Sequence, residues 1–276
     1  MNNVAVTTTE ADVKNILAEL SGPAIRPSLE EEQKIKIDFL KICHDGEDKQ
    51  GREIKRGLVS LSNQEAPVWA SEAKVHVLAQ YFQYREQDES GKVLNKTMLQ
   101  QDFRKGEPLD QRGTLRCGKP TRKVLDQMSD DDKKMWAMRV KTTRIIRGII
   151  SYTGHTADGT EVEVTNAPFQ HYMKGSGYMD FEKVVDSMPY GKQYHDYILK
   201  MNTEKRGKYY YTTYGIDFDT PAILNSDVAE TARIFQDMAK QENNSIQKKY
   251  SEALMSNNGD AQVYDAVAGD LNSDLH

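Results

Sequence analysis

Four cations fall within eight residues at Arg116-Cys117-Gly118-Lys119-Pro120-Thr121-Arg122-Lys123. Gly118 and Pro120 mark the stretch as a loop, and such a loop turns side-chain donors and backbone N–H groups toward phosphate oxygens. In the following run RVKTTRIIRG, a period of two puts Arg139, Lys141 and Arg147 on one face, with Thr143 between them and only Ile145 apolar. Arg144 falls on the other face. The chain also holds 14 tyrosines. Tyr81, Tyr84, Tyr152, Tyr172, Tyr178 and the group Tyr209, Tyr210, Tyr211 and Tyr214 lie in or beside strand-like segments near basic residues.

Strand aromatics interleaved with Lys and Arg are what binding to single-stranded nucleic acid requires. Rings stack on bases at ~1–3 kcal/mol each, and cations track the backbone. The expected contact set is Arg116, Lys119, Arg122, Lys123, Arg139, Lys141, Arg147 and Lys174, with Tyr81, Tyr84, Tyr152, Tyr172, Tyr210 and Tyr214. The same tyrosines could instead fill a barrel or cap its rim. A run such as KYYYTTY puts rings on both faces of a strand at once, so the pattern does not sort stacking rings from core rings.

Catalytic constellations are missing from the sequence. Lys174-Gly175-Ser176-Gly177 matches neither nucleotide-cradling glycine pattern, and no H-E-x-x-H occurs. Cys43 and His44 are neighbours on a strand and point to opposite faces, a poor geometry for a nucleophilic dyad. Asp130, Asp131 and Asp132 open a helix, which suits capping better than metal binding. Two cysteines, Cys43 and Cys117, make neither a disulfide framework nor a four-cysteine zinc site. The reading is of a protein that is not an enzyme, with no cofactor and no metal.

The elements that must position these residues follow from periodicity. TEADVKNILAEL has the spacing of a short amphipathic helix and ends at Ser21-Gly22-Pro23. From Lys34 alternation takes over, with strands in KIKIDFLKI, IKRGLVSL, AKVHVLAQYFQYRE and VLNKTML. The basic stretch around RCGKP is an excursion from the sheet, with Ser129 capping a helix through DDDKKMWAM. RVKTTRIIRGIISYTG turns at TADGT into EVEVTNAPFQHYM, a helix follows through MDFEKVVDSM, and YHDYILKM pairs with KYYYTTYGIDF. Ser226 caps a long helix with Val228, Ala232, Phe235, Met238 and Ala239 as its core stripe. The fold expected is α+β: an antiparallel barrel with insertions over 34–224, a helix and linker over 1–33, a helix over 225–255, and a disordered acidic tail over 256–276.

Charge follows the same division. Of a formal net charge of −5, residues 1–33 carry −4 and residues 251–276 carry −5, leaving +4 for the body between them. Residues 112–147 hold eleven Lys or Arg against four Asp. A basic body with acidic ends fits an anionic partner for the body. No apolar run approaches the ~20 residues that span a bilayer, and MNNVAVTTTEADV has neither the basic nor the apolar region of a secretory signal. The expectation is a cytoplasmic protein without membrane contact.

The order of these features resembles the single-stranded DNA-binding proteins of tailed bacteriophages, whose core is an OB-type barrel. The resemblance rests on the pair FLKICHDGEDKQGREIKRGLVSL, the aromatic strand KVHVLAQYFQYRE, the excursion with RCGKP, RIIRGIISYTG, TADGTEVEVTNAPFQHYMKGSGYMDFEKVV and the Tyr-rich hairpin. It covers roughly residues 34–224. It implies a protein that coats single-stranded DNA in phage replication or recombination, in the host cytoplasm, with replication proteins as partners of the acidic tail. The tail here ends Asn272-Ser273-Asp274-Leu275-His276, without a terminal aromatic or a dense acid block, a departure from the family pattern. The alternative reading is a non-enzymatic phage structural or assembly protein.

Overall fold

Alternating β-branched and aromatic residues, broken by short Gly and Asp turns, build most of the fold. The computed structural model describes residues 37–62, 64–103 and 106–257. The helix expected within 1–33 lies outside these residues, as does the tail from residue 258 on.

The fold is α+β. Its strands are β1 (Asp38–Ile42), β2 (Val59–Leu61), β3 (Glu72–Gln87), β4 (Val93–Lys96), β5 (Val140–His155), β6 (Glu161–Met173), β7 (Tyr197–Arg206) and β8 (Tyr209–Pro221). Its α-helices are α1 (Arg122–Gln127), α2 (Asp130–Arg139), α3 (Ser176–Asp186) and α4 (Ser226–Asn257). The sheet runs in the order β2-β1-β6-β5-β3-β7-β8, with β4 paired to β3. It is mostly antiparallel, but β1 lies parallel to β6 with Asp38 opposite Phe169. Among the described residues no ladder joins β2 to β8, so the hydrogen-bonded sheet is not closed.

The chain divides into two compact units. Among the described residues, the first comprises 37–62, 64–83, 99–103 and 142–241, and the second 84–98, 106–141 and 242–257.

In the first unit the sheet is covered on both faces. On one, Val75, Val77, Ile146, Ile150, Phe169, Leu199 and Met201 pack with Phe181 and Val184 of α3. On the other, Leu78, Tyr81 and Ile145 pack against Val228, Ala229, Ala232, Phe235 and Ala239 of α4, whose alanines permit close approach. Gly148 marks the tightest crossing, where a Cβ would stand 2.1 Å from the His76 carbonyl oxygen. The loop after β1 also meets the β7–β8 hairpin. Thr203 donates to the Gly57 carbonyl at 2.5 Å, and the Tyr210 N–H donates to His44 Nδ1 at 3.4 Å.

In the second unit Asp110 is a buried hub. It accepts from Asn95 Nδ2, from the backbone N–H groups of Arg112 and Thr114, and from the Thr114 hydroxyl. Thr121 and Ser129 cap α1 and α2, the second as expected, yet neither helix buries a side chain.

Three expectations are corrected. The basic face expected on β5 as a nucleic-acid contact is not formed: the strand is interior to the sheet, Thr143 and Arg147 are buried, and Arg139 ends α2 instead of opening the strand. Coverage by α4 is the physical reason. The return strand in IKRGLVSL shrinks to Val59–Leu61. The cap of α4 is Asn225, whose Oδ1 accepts from the Val228 N–H at 3.0 Å, because Ser226 is already the first helical residue.

Candidate functional site

The basic loop of the second unit has an unusual backbone. Arg116 and Cys117 both take φ of 54°, and Gly118 follows at 70°. Left-handed geometry costs a non-glycine residue ~1–2 kcal/mol, so two in succession need strong support. The backbone supplies part of it: Arg116 N–H donates to the Pro108 carbonyl at 2.9 Å, and Gly118 N–H to Leu115 at 2.8 Å. The Cys117 thiol, buried, donates to the Tyr84 carbonyl at 3.4 Å. Burial, and next the Asp110 charge, push that thiol up to about 12, so Cys117 is a packing group and not a nucleophile.

What this turn achieves is placement of charge. The Arg116 guanidinium and the Lys119 ammonium both lie 5.4 Å from the centroid of the Tyr84 ring. Arg116 also donates to the Pro120 carbonyl at 2.9 Å and stands 3.6 Å from Glu107. Burial, then the neighbouring charges of Arg116 and Lys141, hold the Lys119 amine below the ordinary lysine range. Arg116 and Lys141 are thus both close enough to disfavour the Lys119 charge. An anion seated among them relieves that repulsion.

The other expected cations of this unit are disposed differently. Arg139 is held by buried Glu86 at 2.6 Å, with Arg112 at 3.7 Å from the same carboxylate. Arg122 pairs with Asp126 in an exposed contact at 3.0 Å, and Lys123 is exposed beside it on α1.

In the first unit most expected contact residues are in the core. Arg147 is buried, donating to Gln170 Oε1 at 2.5 Å and to the Phe235 carbonyl at 3.1 Å, and its guanidinium covers Tyr81. Tyr81, Tyr152 and Tyr214 are buried as well. Tyr152 donates to the Val68 carbonyl, and burial raises its phenol to about 12. The Tyr214 hydroxyl meets His171 Nδ1 at 2.9 Å, while burial lowers His171 to about 4. These four are corrected from ligand contacts to packing groups, since a ring with no open face cannot stack on a base. In the second unit Tyr84 is likewise buried beneath its two cations.

Tyr172, Lys174 and Tyr210 are half-buried. Tyr172 stacks on Phe39 at 5.7 Å and 19°, and Phe39 keeps 38% of its surface exposed. Phe39 and Tyr209 were not among the expected contacts, although Tyr209 is the most exposed tyrosine of the Tyr-rich hairpin. The signal that could have found Tyr209 is its position beside the turn, next to Lys205, Arg206 and Lys208.

Among the described residues no three His, Cys, Asp or Glu side chains converge on a possible metal site. No described helix is long and apolar enough to cross a membrane. Comparison with family models, with curated proteins and with solved structures gave no match.

Proposed function

We propose that this protein binds and coats single-stranded DNA without strong sequence preference, in support of phage DNA replication or recombination in the host cytoplasm. The observation that carries the reading is the strained turn at Arg116–Gly118, which holds Arg116 and Lys119 over Tyr84 and near the charge of Lys141. Like charges gathered on a strained backbone, with Glu107 3.6 Å from Arg116, form a basic loop that the phosphates of a strand would further stabilise.

Connectivity supports the reading. A run of β3, β5 and β6, then α3, then the β7–β8 hairpin with β7 returning to β3, is compatible with the path of an OB-type barrel. β1 stands beside β6 where the last barrel strand would close, and the Thr203–Gly57 and Tyr210–His44 contacts tie the hairpin to the loop after β1. OB folds bind oligonucleotides with the face of their second and third strands and with the loops after the first and fourth. Here α4 covers that face, which moves binding to the loops. The first of these is the excursion carrying Arg116 and Lys119.

The test is a salt titration of fluorescent oligo-dT binding, with duplex of equal length as competitor. The reading requires preference for the single strand and an affinity that falls steeply with salt. A second reading, a phage structural or assembly protein, is favoured by α1 and α2, which bury no side chain and expose Val124, Met135 and Met138. Formation of large particles without nucleic acid, together with no oligo-dT binding, would select it.

A further inference from the structure

The outer face of β1 brings an open ring and two lysines together in the first unit. In this strand Leu40 and Ile42 turn into the core, so a period of two sends Phe39 and Lys41 the other way. Both are exposed, Phe39 by 38%. The Phe39 N–H donates to the Ser62 hydroxyl at 2.9 Å, and Lys49 Nζ donates to the carbonyl of the same serine at 3.5 Å, which brings a second lysine to this face. Burial, then contact with the Lys49 ammonium and its charge, hold the Lys41 amine below the ordinary lysine range. Among the described residues neither lysine has an ion pair. Asp48, in the same loop as Lys49, is taken by Arg52 at 2.6 Å.

Beneath the Phe39 ring lies Tyr172, stacked at 5.7 Å and 19°. The Tyr172 hydroxyl accepts from Gln170 Nε2 at 2.9 Å, and buried Arg147 holds Gln170 Oε1 in turn. Tyr172 is therefore a fixed floor. With one face laid on it, the exposed surface of Phe39 belongs to the other face and the edge. A planar base can continue such a stack, since every base has a π-face, and ammonium groups beside it meet the backbone. An apolar protein partner would cover the ring and bury two unpaired ammonium groups, which is costly. A nucleotide satisfies ring and charges together.

We propose that Phe39 is a stacking platform for one base of a bound single strand, with Lys41 and Lys49 taking the adjoining phosphates. β1 extends the sheet past β6, so this platform stands beside the face that α4 covers and not on it. The choice of a nucleotide as ligand rests on the single-strand reading above.

Phe39→Leu removes the ring and keeps an apolar side chain, so oligo-dT should bind roughly five- to 100-fold more weakly, the worth of one stacked base. Phe39→Tyr keeps a ring and should keep the affinity. Lys41→Ala combined with Lys49→Ala should make the slope of log affinity against log salt shallower by up to about 1.4. Thermal melts check that each variant is folded. A further measurement needs no variant: oligo-dT with iododeoxyuridine at successive positions should photo-cross-link to Phe39, read by mass spectrometry of the digested protein. Cross-links confined to other residues, with Phe39→Leu binding like the unmutated protein, overturn the platform and leave the coating function standing. Failure of the unmutated protein to bind oligo-dT overturns both.

Discussion

Neutralising Arg116, Lys119 and Lys141 together has a signature that can be calculated in advance. Each phosphate contact to a single strand contributes about 0.7 to the slope of log affinity against log salt. Between about 50 and 200 mM salt, one such contact loses about 2.6-fold in affinity and three lose roughly 20-fold. The triple alanine variant should therefore show a slope shallower by up to about 2, with its deficit greatest at low salt. The Glu107 pairing of Arg116 makes this an upper value. Arg116 adds a stability test that charge alone does not produce. Its left-handed backbone costs a side-chain-bearing residue ~1–2 kcal/mol, and glycine gives back ~0.5–1 kcal/mol through its unfolded-state freedom. Arg116→Gly should thus be more stable than Arg116→Ala by about 0.5–1 kcal/mol, or about 1–4 °C in melting temperature. Both lose the same charge, so both must lose the same part of the salt slope. Anisotropy titrations with oligo-dT and thermal melts measure the two quantities. Equal melting of the glycine and alanine variants refutes the strain, and an unchanged slope in the triple variant removes the phosphates from this turn.

Buried His171 is neutral in the fold, at about 4 against 6.5 when unfolded, so protons favour the unfolded chain in that window. Its contribution is whole above pH 6.5 and is lost at ~1.4 kcal/mol per unit as pH falls toward 4; urea unfolding of His171→Gln should show a flatter dependence over the same range. Gly148→Ala forces a methyl onto the His76 carbonyl and should cost upward of ~3 kcal/mol or abolish soluble expression, with wild-type stability the contrary result. Asn225→Ala should cost ~1 kcal/mol through the lost cap of α4, whereas Ser226→Ala should stay within ~0.5 kcal/mol; denaturant midpoints that reverse this order place the cap one residue later.

Local pattern carried much of the fold. The alternation in β3, β5 and β6, the turn at 156–160, the Ser129 cap and the apolar stripe of α4 were all legible residue by residue, because each depends on neighbours in sequence. What pattern could not supply was the second covering of the sheet. Thr143, Ile145 and Arg147 read as part of a basic contact face, and only the seating of Ala229, Ala232 and Phe235 on the sheet makes that face interior. The tyrosines were unsorted for the same reason. Tyr81 and Tyr214 both sit in strand patterns with basic residues nearby, and tertiary coverage buries them, whereas the turn beside Tyr209 was the one local cue to an exposed ring. The left-handed turn was invisible because Arg116 and Cys117 are not residues that announce positive φ; Gly118 was the sole hint.

The parallel seam between β1 and β6 constrains how the chain is made. Its partners lie some 130 residues apart, Asp38 against Phe169. At ~5–20 residues per second, β1 leaves the ribosome about 7 to 26 seconds before β6 exists to receive it. Through that interval its backbone groups on that side face water or whatever else can pair with them. Non-local parallel pairing is also among the slowest steps of folding, since loop closure precedes any reward. β2 shields only one side of β1, and it does so with three residues. Newly made chains therefore carry an adhesive edge for seconds, and slowing synthesis between residues 42 and 161 lengthens the period in which neighbouring chains can join there instead of folding.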